Sequence, residues 1–590
     1  MDLDPIQIRL RVTEEYLGLA KIIVQIEIER PGSKWRWPIG SGYIMETTGT
    51  INRFQLKKIL THNKGFSIHW LLIILITIIC WGWGIYQSGL AFPDEAVHLM
   101  DGVFIRDALS DIPLLNPIKW AKAYYYQYPA VTFFAYYPPA FSIVEGFMFQ
   151  LFGVSEEIGR MTVLLLGLLA VSSLFLIIRK YIGEIPSVFA CILIATQPTI
   201  AYWARQTMLE VPTISMGILS IGFLLWYLKN RKLITLLTWI FLGIATIFTK
   251  QNAIFILISY LILICFYGRR FIFKDKKPWL GWVIIAIPTS IFVYWDATFV
   301  PMHQLANLDP SMNPNVFYRL ICNIKLIGSH FNVLGIAAIV GIIVAIYSRR
   351  WNSIVLGGSW ALPLLITTMA IPRTDARFLI LLTPALAFFA SAILANGINK
   401  GRLFRVLLVT LSLVFISIHI YQVSKVEVEY LVGQEVMAKE AISSTRSNHI
   451  FYDGHFDTGF IFFVRKNDPC RLKSVYRGSK VLYSAVVFKD FHVKNLVETE
   501  EEIYDLLTKL KVDPIIVEET EKEMTKPSIM LRSLLEKPEF HKSYGTLLSK
   551  KNHVLSKLSA FRLSNLYDGE PYHPSLPMPG LGRSIDPPSK

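Results

Sequence analysis

Charge is scarce in this sequence. Only 17% of its 590 residues are Asp, Glu, Lys or Arg, against about 25% in an ordinary soluble protein. With a mean hydropathy of +0.43, that composition excludes both a solvated globule and an intrinsically disordered chain. Cysteine is scarcer still. The five residues Cys80, Cys191, Cys265, Cys322 and Cys470 are too few for a secreted disulfide scaffold, and three of them sit within apolar runs. Acidic residues are outnumbered, 44 against 59 basic, for a net charge of +15. In so apolar a chain the basic excess serves topology and lipid headgroups, and nucleic acid is not expected as a partner.

What the sequence has in abundance is long apolar blocks. A spanning helix needs roughly 20 mostly apolar residues, because in hydrocarbon only the helix itself can satisfy the backbone amides. Eleven stretches qualify: 68–87, 158–178, 185–203, 211–228, 233–249, 252–268, 279–296, 329–347, 353–371, 377–397 and 403–421. The expected fold is therefore a polytopic α-helical membrane protein. A twelfth candidate, 138–152 (PPAFSIVEGFMFQLF), is short, begins with two prolines and contains Glu145. If it does not span, every strongly basic short connection, from 53–64 through 400–405, falls on one side, which the positive-inside rule makes cytoplasmic. It is accordingly read as a juxtamembrane or re-entrant helix at the outer surface.

Four regions follow. Residues 1–67 form a cytoplasmic N-terminal extension in which no motif is found. Residues 68–421 form the transmembrane domain, with a long outer loop at 88–157. Residues 422–566 read as an extracytoplasmic α/β domain: β-rich runs at 450–452, 460–464, 481–488 and 514–517 surround a helix at 498–511, where Ile503, Leu506, Leu507 and Leu510 share one face. From 567 to 590 the chain is rich in Pro and Gly and reads as a mobile tail.

The chemistry gathers at the outer ends of the helices. In AFPDEAVHLMDGVFIRDAL (91–109) a helix opens after Pro93, so Asp94 and Glu95 occupy its first turn, where the helix dipole favours anions. Asp94, His98 and Asp101 share a face at i, i+4, i+7, but no tight cluster such as HExxH accompanies them, so no metal ligands are assigned and no cofactor is certain; a divalent metal remains the one conceivable addition. Arg205 and Glu210 stand in AYWARQTMLEVP, Lys250 in FTKQN, and Arg373, Asp375 and Arg377 in IPRTDARF. Any one of these could be an interfacial anchor. Charges of both signs on one face near a membrane need pairing or a ligand. Lys250, Arg205, Arg373 and Arg377 suit a phosphate or diphosphate headgroup, and the carboxylates suit a general base beside it. The stretch 124–141, YYYQYPAVTFFAYYPPAF, would place its tyrosines at the bilayer interface, where they form an aromatic belt or stack on sugar rings. Tyr136, Tyr137 and Pro138 are the pocket candidates within it.

In order along the chain, FPDEAVHLMDG, YYPPAF followed by LFGVSEEIGR, then ARQTMLEVP, FTKQN and PRTDARFLILLTP resemble the family 39, dolichyl-phosphate-mannose protein mannosyltransferase and aminoarabinose-transferase-like group of C-type glycosyltransferases, over residues 68–400. The resemblance implies an integral enzyme of the plasma (inner) membrane. It would take a sugar from a polyprenyl-phosphate carrier at the outer face and pass it, with inversion, to an acceptor: a glycolipid, polysaccharide or protein. By match to the family's motifs Asp94 would be the base with Glu95 beside it, Glu210 a second acid, and Lys250 and Arg377 the carrier-phosphate ligands, with Arg373 as a nearby alternative. Phe378 follows Arg377 where an Arg-Tyr pair is common, and Tyr137 precedes the prolines where some relatives have His. The rival class is a transporter or flippase of an anionic lipid, which calls for charges at the bilayer midplane and an internal repeat. Neither is visible in the sequence. A plain membrane anchor for the C-terminal domain would need only one helix.

Overall fold

The computed structural model describes residues 7–13, 23–29, 53–132, 134, 137–269, 274–299, 316–370, 376–397, 401–485, 493–520, 524–551, 553–564, 568–578 and 583–587. Two compact units result, Met1–Gly65 and Phe66–Lys590. In the first, β1 (Gln7–Thr13) and β2 (Ile23–Glu29) pair antiparallel with Gln7 opposite Glu29.

The helices in chain order are α1 (Arg53–Gly82), α2 (Pro93–Asp111), α3 (Pro117–Gln127), α4 (Ala140–Phe152), α5 (Glu156–Tyr181), α6 (Glu184–Ala195), α7 (Pro198–Ala204), α8 (Glu210–Asn230) and α9 (Leu233–Ile247). There follow α10 (Ile256–Tyr267), α11 (Lys277–Phe299), α12 (Val316–Tyr347), α13 (Trp351–Ala370), α14 (Ala376–Ile380), α15 (Thr383–Gly397) and α16 (Arg402–Ser424). Among the described residues five helices are long and apolar enough to cross a membrane, or up to seven if each of two bent pairs counts as one span. One bent pair is α6 with α7, turned by 61°. Pro198 causes that bend: it lacks an N–H for the helix ladder and holds Gln197 in an extended conformation (ψ 119°). Several of the eleven expected spans fall short; α9, at 15 residues, rises only about 22 Å against a hydrocarbon core of about 30 Å. The helix expected at 138–152 is α4, 13 residues long, and it lies along α2. A Cβ on Gly146 would come within 2.6 Å of Ile105 Cγ2, so that glycine permits the close approach.

The helical core is pinned by buried tryptophans set against glycines. A Cβ on Gly167 would meet the Trp81 ring at 2.5 Å, and one on Gly217 the Trp360 ring at 2.7 Å. Each indole also donates to a backbone carbonyl, Trp81 to Ala195 at 2.9 Å and Trp360 to Leu381 at 2.6 Å. Low-dielectric surroundings make such a bond costly to leave unmade.

After α16 come β3 (Leu431–Val432), α17 (Gln434–Ser444), β4 (His449–Asp453), α18 (Asp457–Asn467), β5 (Ser474–Arg477), α19 (Gly478–Val481), β6 (Tyr483–Ala485), β7 (Val493–Asn495), α20 (Glu500–Lys509), β8 (Val512–Glu519), α21 (Lys526–Leu534), β9 (Phe540–Lys550), β10 (His553–Leu563), β11 (Leu576–Met578) and β12 (Arg583–Ile585). The main sheet has the order β3-β9-β10-β8-β4-β5, with β4 parallel to β5 and to β8 and the remaining pairs antiparallel.

Three expectations are corrected here. The run 460–464, expected as a strand, lies inside α18: Phe460 through Val464 are all buried, and a short apolar run buried on every side carries no period that separates helix from strand. The stretch after 567 is not a free tail where described. β11 pairs with β12, Leu576 and Met578 are buried, and the tyrosines of α3 hold the chain, Tyr126 donating to Pro574 O at 2.8 Å and Tyr125 to Pro577 O at 3.0 Å. The same bonds correct the aromatic belt: Tyr124, Tyr125 and Tyr126 are buried in protein, with Tyr124 donating to Asp107 at 2.7 Å.

The C-terminal part is fastened to α2. Asp107 takes two bonds from the Arg465 guanidinium at 2.7 and 2.9 Å, and Asp111 takes two from Arg471, both at 2.6 Å. Just before α2, Leu90 and Leu431 exchange backbone bonds of 3.3 and 2.8 Å. Gly89 makes that bridge passable: its φ is +95°, and a Cβ there would collide with the Leu431 carbonyl.

Candidate active site

Phe92 is extended and Pro93 opens α2 at its first turn, which sets Asp94 and Glu95 at the helix start. Successive helical side chains diverge by about 100°, and the two carboxylates meet different surroundings. Asp94 Oδ2 lies 2.7 Å from Arg377 NH1, with side-chain exposures of 26% and 16%. The guanidinium is flanked by the Phe92 ring at 5.3 Å and the Trp203 ring at 5.8 Å. Glu95 points inward and is wholly buried. It accepts from Arg160 Nε at 2.9 Å, Ala91 N at 2.7 Å and Thr207 N at 3.1 Å. Arg160 spends its remaining donors on the carbonyls of Ile85, Gln87 and Gly89.

A second pair stands at neighbouring helix ends. Lys250, just ahead of a 3₁₀ turn (Gln251–Phe255), reaches Glu210 Oε1 at the start of α8, 2.6 Å away. Lys250 Nζ also lies 5.8 Å from the Phe378 ring. Tyr137 and His98 join the two pairs. Burial raises the pKa of the Tyr137 hydroxyl first; the charges of Asp94 and Glu210 push the same way, and Arg377 opposes them. His98 is buried edge-on to the Tyr137 ring, centroids 4.5 Å apart. Burial drives its pKa down to about 3, with Asp94 pulling upward and Lys250 and Arg377 pushing downward. One imidazole thus feels Asp94, Lys250 and Arg377 together, and it stays neutral at physiological pH.

The other candidates lie elsewhere. Arg205 turns to the chain itself, giving two bonds to Cys80 O at 3.1 and 2.7 Å and one to Val426 O at 2.6 Å. Its donors tie α1 to the segment after α16. Pro138 is buried at the entrance to α4, whose Ala140 N donates to Phe248 O at 2.8 Å. Arg373 and Tyr136 fall outside the described residues. Asp101, third in the spacing considered for a metal, accepts from Thr132 N at 3.0 Å and Thr132 Oγ1 at 2.6 Å. Its burial outweighs those bonds and lifts its pKa to about 7. Among the described residues no group of three or more His, Cys, Asp or Glu side chains is placed to hold a metal ion.

Sequence reasoning did not single out Arg160 or the linking role of His98. Arg160 ends the motif LFGVSEEIGR, and an arginine just past the first turn of an apolar helix was a signal for a buried carboxylate partner.

The fold has solved counterparts. It is similar to that of ArnT from Cupriavidus metallidurans bound to undecaprenyl phosphate (12% identity, TM-score 0.51, 85% of this chain and 99% of that one), and to the same protein in the apo state (13%, TM-score 0.55, 85% and 98%). It is also similar to the archaeal oligosaccharyltransferase AglB from Archaeoglobus fulgidus in complex with an inhibitory peptide and a dolichol-phosphate (13%, TM-score 0.50, 77% and 69%). This is the helical C-type glycosyltransferase fold with a C-terminal sheet domain. Residues 137–295 match the family model of dolichyl-phosphate-mannose-protein mannosyltransferase. That match covers part of the chain and agrees with the resemblance that the motifs carry. No curated protein matches its sequence.

Proposed function

We propose that this enzyme transfers a sugar from a polyprenyl-phosphate carrier to an acceptor hydroxyl at the extracytoplasmic face of the plasma membrane, through the eleven-span topology read from the basic connections. The observation that carries the reading is the pairing of Asp94 with Arg377 and Glu210 with Lys250 around Tyr137 and His98, at the ends of apolar helices. Both cations are held by carboxylates. A donor phosphate entering between them gives Arg377 a bidentate anion and Lys250 a second charge partner. Asp94 is then released from its guanidinium and is free to accept a proton.

Asp94 takes the acceptor proton as the acceptor oxygen attacks the anomeric carbon. The bond from that carbon to the phosphate oxygen breaks, and its electron pair leaves on the polyprenyl phosphate, where Lys250 and Arg377 stabilise the growing charge. Attack opposite the leaving phosphate inverts the anomeric centre. Glu210 positions Lys250 and shares its charge in the resting enzyme. Glu95 and Arg205 take no part in this reading, because their polar atoms already have protein partners. The test is the Asp94→Asn enzyme, confirmed as normally inserted and assayed for release of free polyprenyl phosphate from labelled donor. Turnover equal to that of the parent enzyme overturns the assignment.

A further inference from the structure

The connection between α2 and α3 carries a feature that sugar transfer does not use. Within seven residues Ile112, Leu114, Leu115 and Ile118 are 62, 82, 95 and 73% exposed. Single exposed aliphatics are ordinary, but three on one short connection and a fourth in the first turn of α3 form an apolar surface that water disfavours. The connection is also built to hold them outward. Ile112 adopts a left-handed conformation (φ 47°), costly for a β-branched residue, and caps α2 through its N–H to Ala108 O at 3.0 Å. On the far side Trp120 N bonds Asn116 O at 3.0 Å and Trp120 Nε1 bonds Asp111 at 2.8 Å, while Asp111 itself is gripped by Arg471.

Its place in the fold says what covers it. At the end of α2, Ser110 donates to Gln150 on the last turn of α4 at 3.0 Å. The outward face of α4 there is again apolar, with Phe147, Leu151 and Phe152 exposed. Immediately after α4 the chain enters α5, one of the helices long and apolar enough to cross a membrane, with Leu165, Leu169 and Leu176 exposed along it. The apolar surface thus continues from a spanning helix across α4 to the 112–118 connection. The α5 start is also on the side of the C-terminal part, since Glu156 pairs with Lys466 at 2.7 Å. Beside the tip, Lys119 and Lys122 are exposed, and among the described residues neither has an ion-pair partner. The nearest acid in sequence, Asp111, is taken by Arg471. Aliphatic side chains flanked by free lysines match a leaflet that is hydrocarbon beneath anionic headgroups.

We propose that residues 112–118 form a finger that inserts into the bilayer leaflet on the side of the C-terminal part, with Lys119 and Lys122 on anionic phospholipid headgroups. It anchors the far end of α2, whose near end carries Asp94. The claim rests on the membrane fold and not on the assignment of Asp94, so either can fail alone.

The test uses the full chain in lipid nanodiscs of phosphatidylcholine mixed with phosphatidylglycerol, with Cys265, Cys322 and Cys470 changed to serine. A nitroxide is placed at Leu115→Cys or, as a water-facing control on α20, at Glu501→Cys. Insertion makes dissolved oxygen relax the label at 115 more strongly than a water-soluble nickel chelate does, with the reverse at 501. Nickel relaxation at 115 equal to that at 501 overturns the proposal, and so does protection from both reagents, which would mean that a protein surface covers the loop. The difference at 115 should shrink in pure phosphatidylcholine and in the Lys119→Glu/Lys122→Glu variant. An undiminished difference in both would overturn the headgroup contact.

Discussion

Helix α2 carries the same chemistry twice with opposite outcomes. At its first turn Asp94 meets Arg377 with both side chains partly open to solvent. Three turns on, Asp107 meets Arg465 with side-chain exposures of 1% and 2%, and takes further bonds from the Tyr124 hydroxyl and the neighbouring Arg106, each at 2.7 Å. An open pair can exchange partners when an anion arrives, whereas a closed pair cannot separate, or have one partner neutralised, without stranding a charge in low dielectric. Exposure, not residue type, separates the exchangeable carboxylate from the architectural one, and Glu95 beside Asp94 falls on the architectural side.

The sharpest way to break this contrast is to neutralise both ends. Asp94→Asn should lower kcat by roughly 10²- to 10⁴-fold, the span of general-base contributions, and leave the melting temperature unchanged; a large drop in melting temperature would place Asp94 with the architectural pairs. Asp107→Asn should do the opposite. With Arg465 left buried and half-unpaired, it should cost about 3–5 kcal/mol of stability, read as earlier thermal unfolding in detergent. The surviving folded enzyme should keep its donor KM.

Lys250→Gln sharpens the same line more gently. A charged hydrogen bond is worth about 1.5–3 kcal/mol, so donor KM should rise roughly 10- to 100-fold. Glu210, released from its partner, should then respond to ionic strength. An unchanged KM would mean that Lys250 serves Glu210 and not the donor.

Much of this contrast is visible along the chain, and part of it could not be. Apolar runs and stray charges at their ends pointed to Asp94, Lys250 and Arg377, because a charge near hydrocarbon needs a stated reason. Their convergence on His98 and Tyr137 depends on how α2, α8, α14 and the turn after α9 pack. The different surroundings of Asp94 and Glu95 follow from helical angle, but the cradle around Glu95 is assembled from residues 85–91, 160 and 207, and no local pattern marks it. The tyrosines 124–126 read as interfacial, in a belt or against a sugar, because composition cannot distinguish either from a protein seam. The Pro-rich end read as mobile for a related reason: its partners, Tyr125 and Tyr126, lie more than 400 positions away.

The smallest expected effect tests a third kind of carboxylate, one with no partner. Glu145 on α4 is fully buried between α2 and α5, and among the described residues neither of its oxygens finds a hydrogen bond. Burial first, then the charges of Asp101 and Glu95, raise its pKa well above the ordinary 4.5. The folded protein therefore keeps a proton that the unfolded chain loses. Stability from this group is fully present below pH 4.5 and is lost as pH rises toward the folded value. Asp101 acts in the same sense between its ordinary 3.8 and about 7. We expect the melting temperature of the parent protein to fall from mildly acidic to alkaline pH. Glu145→Gln has nearly the shape of the protonated acid and cannot ionise, so it should flatten that fall above pH 7, where Asp101 no longer contributes a slope. Parallel curves for the two proteins would show that Glu145 finds a partner in the membrane-embedded enzyme and carries its charge after all.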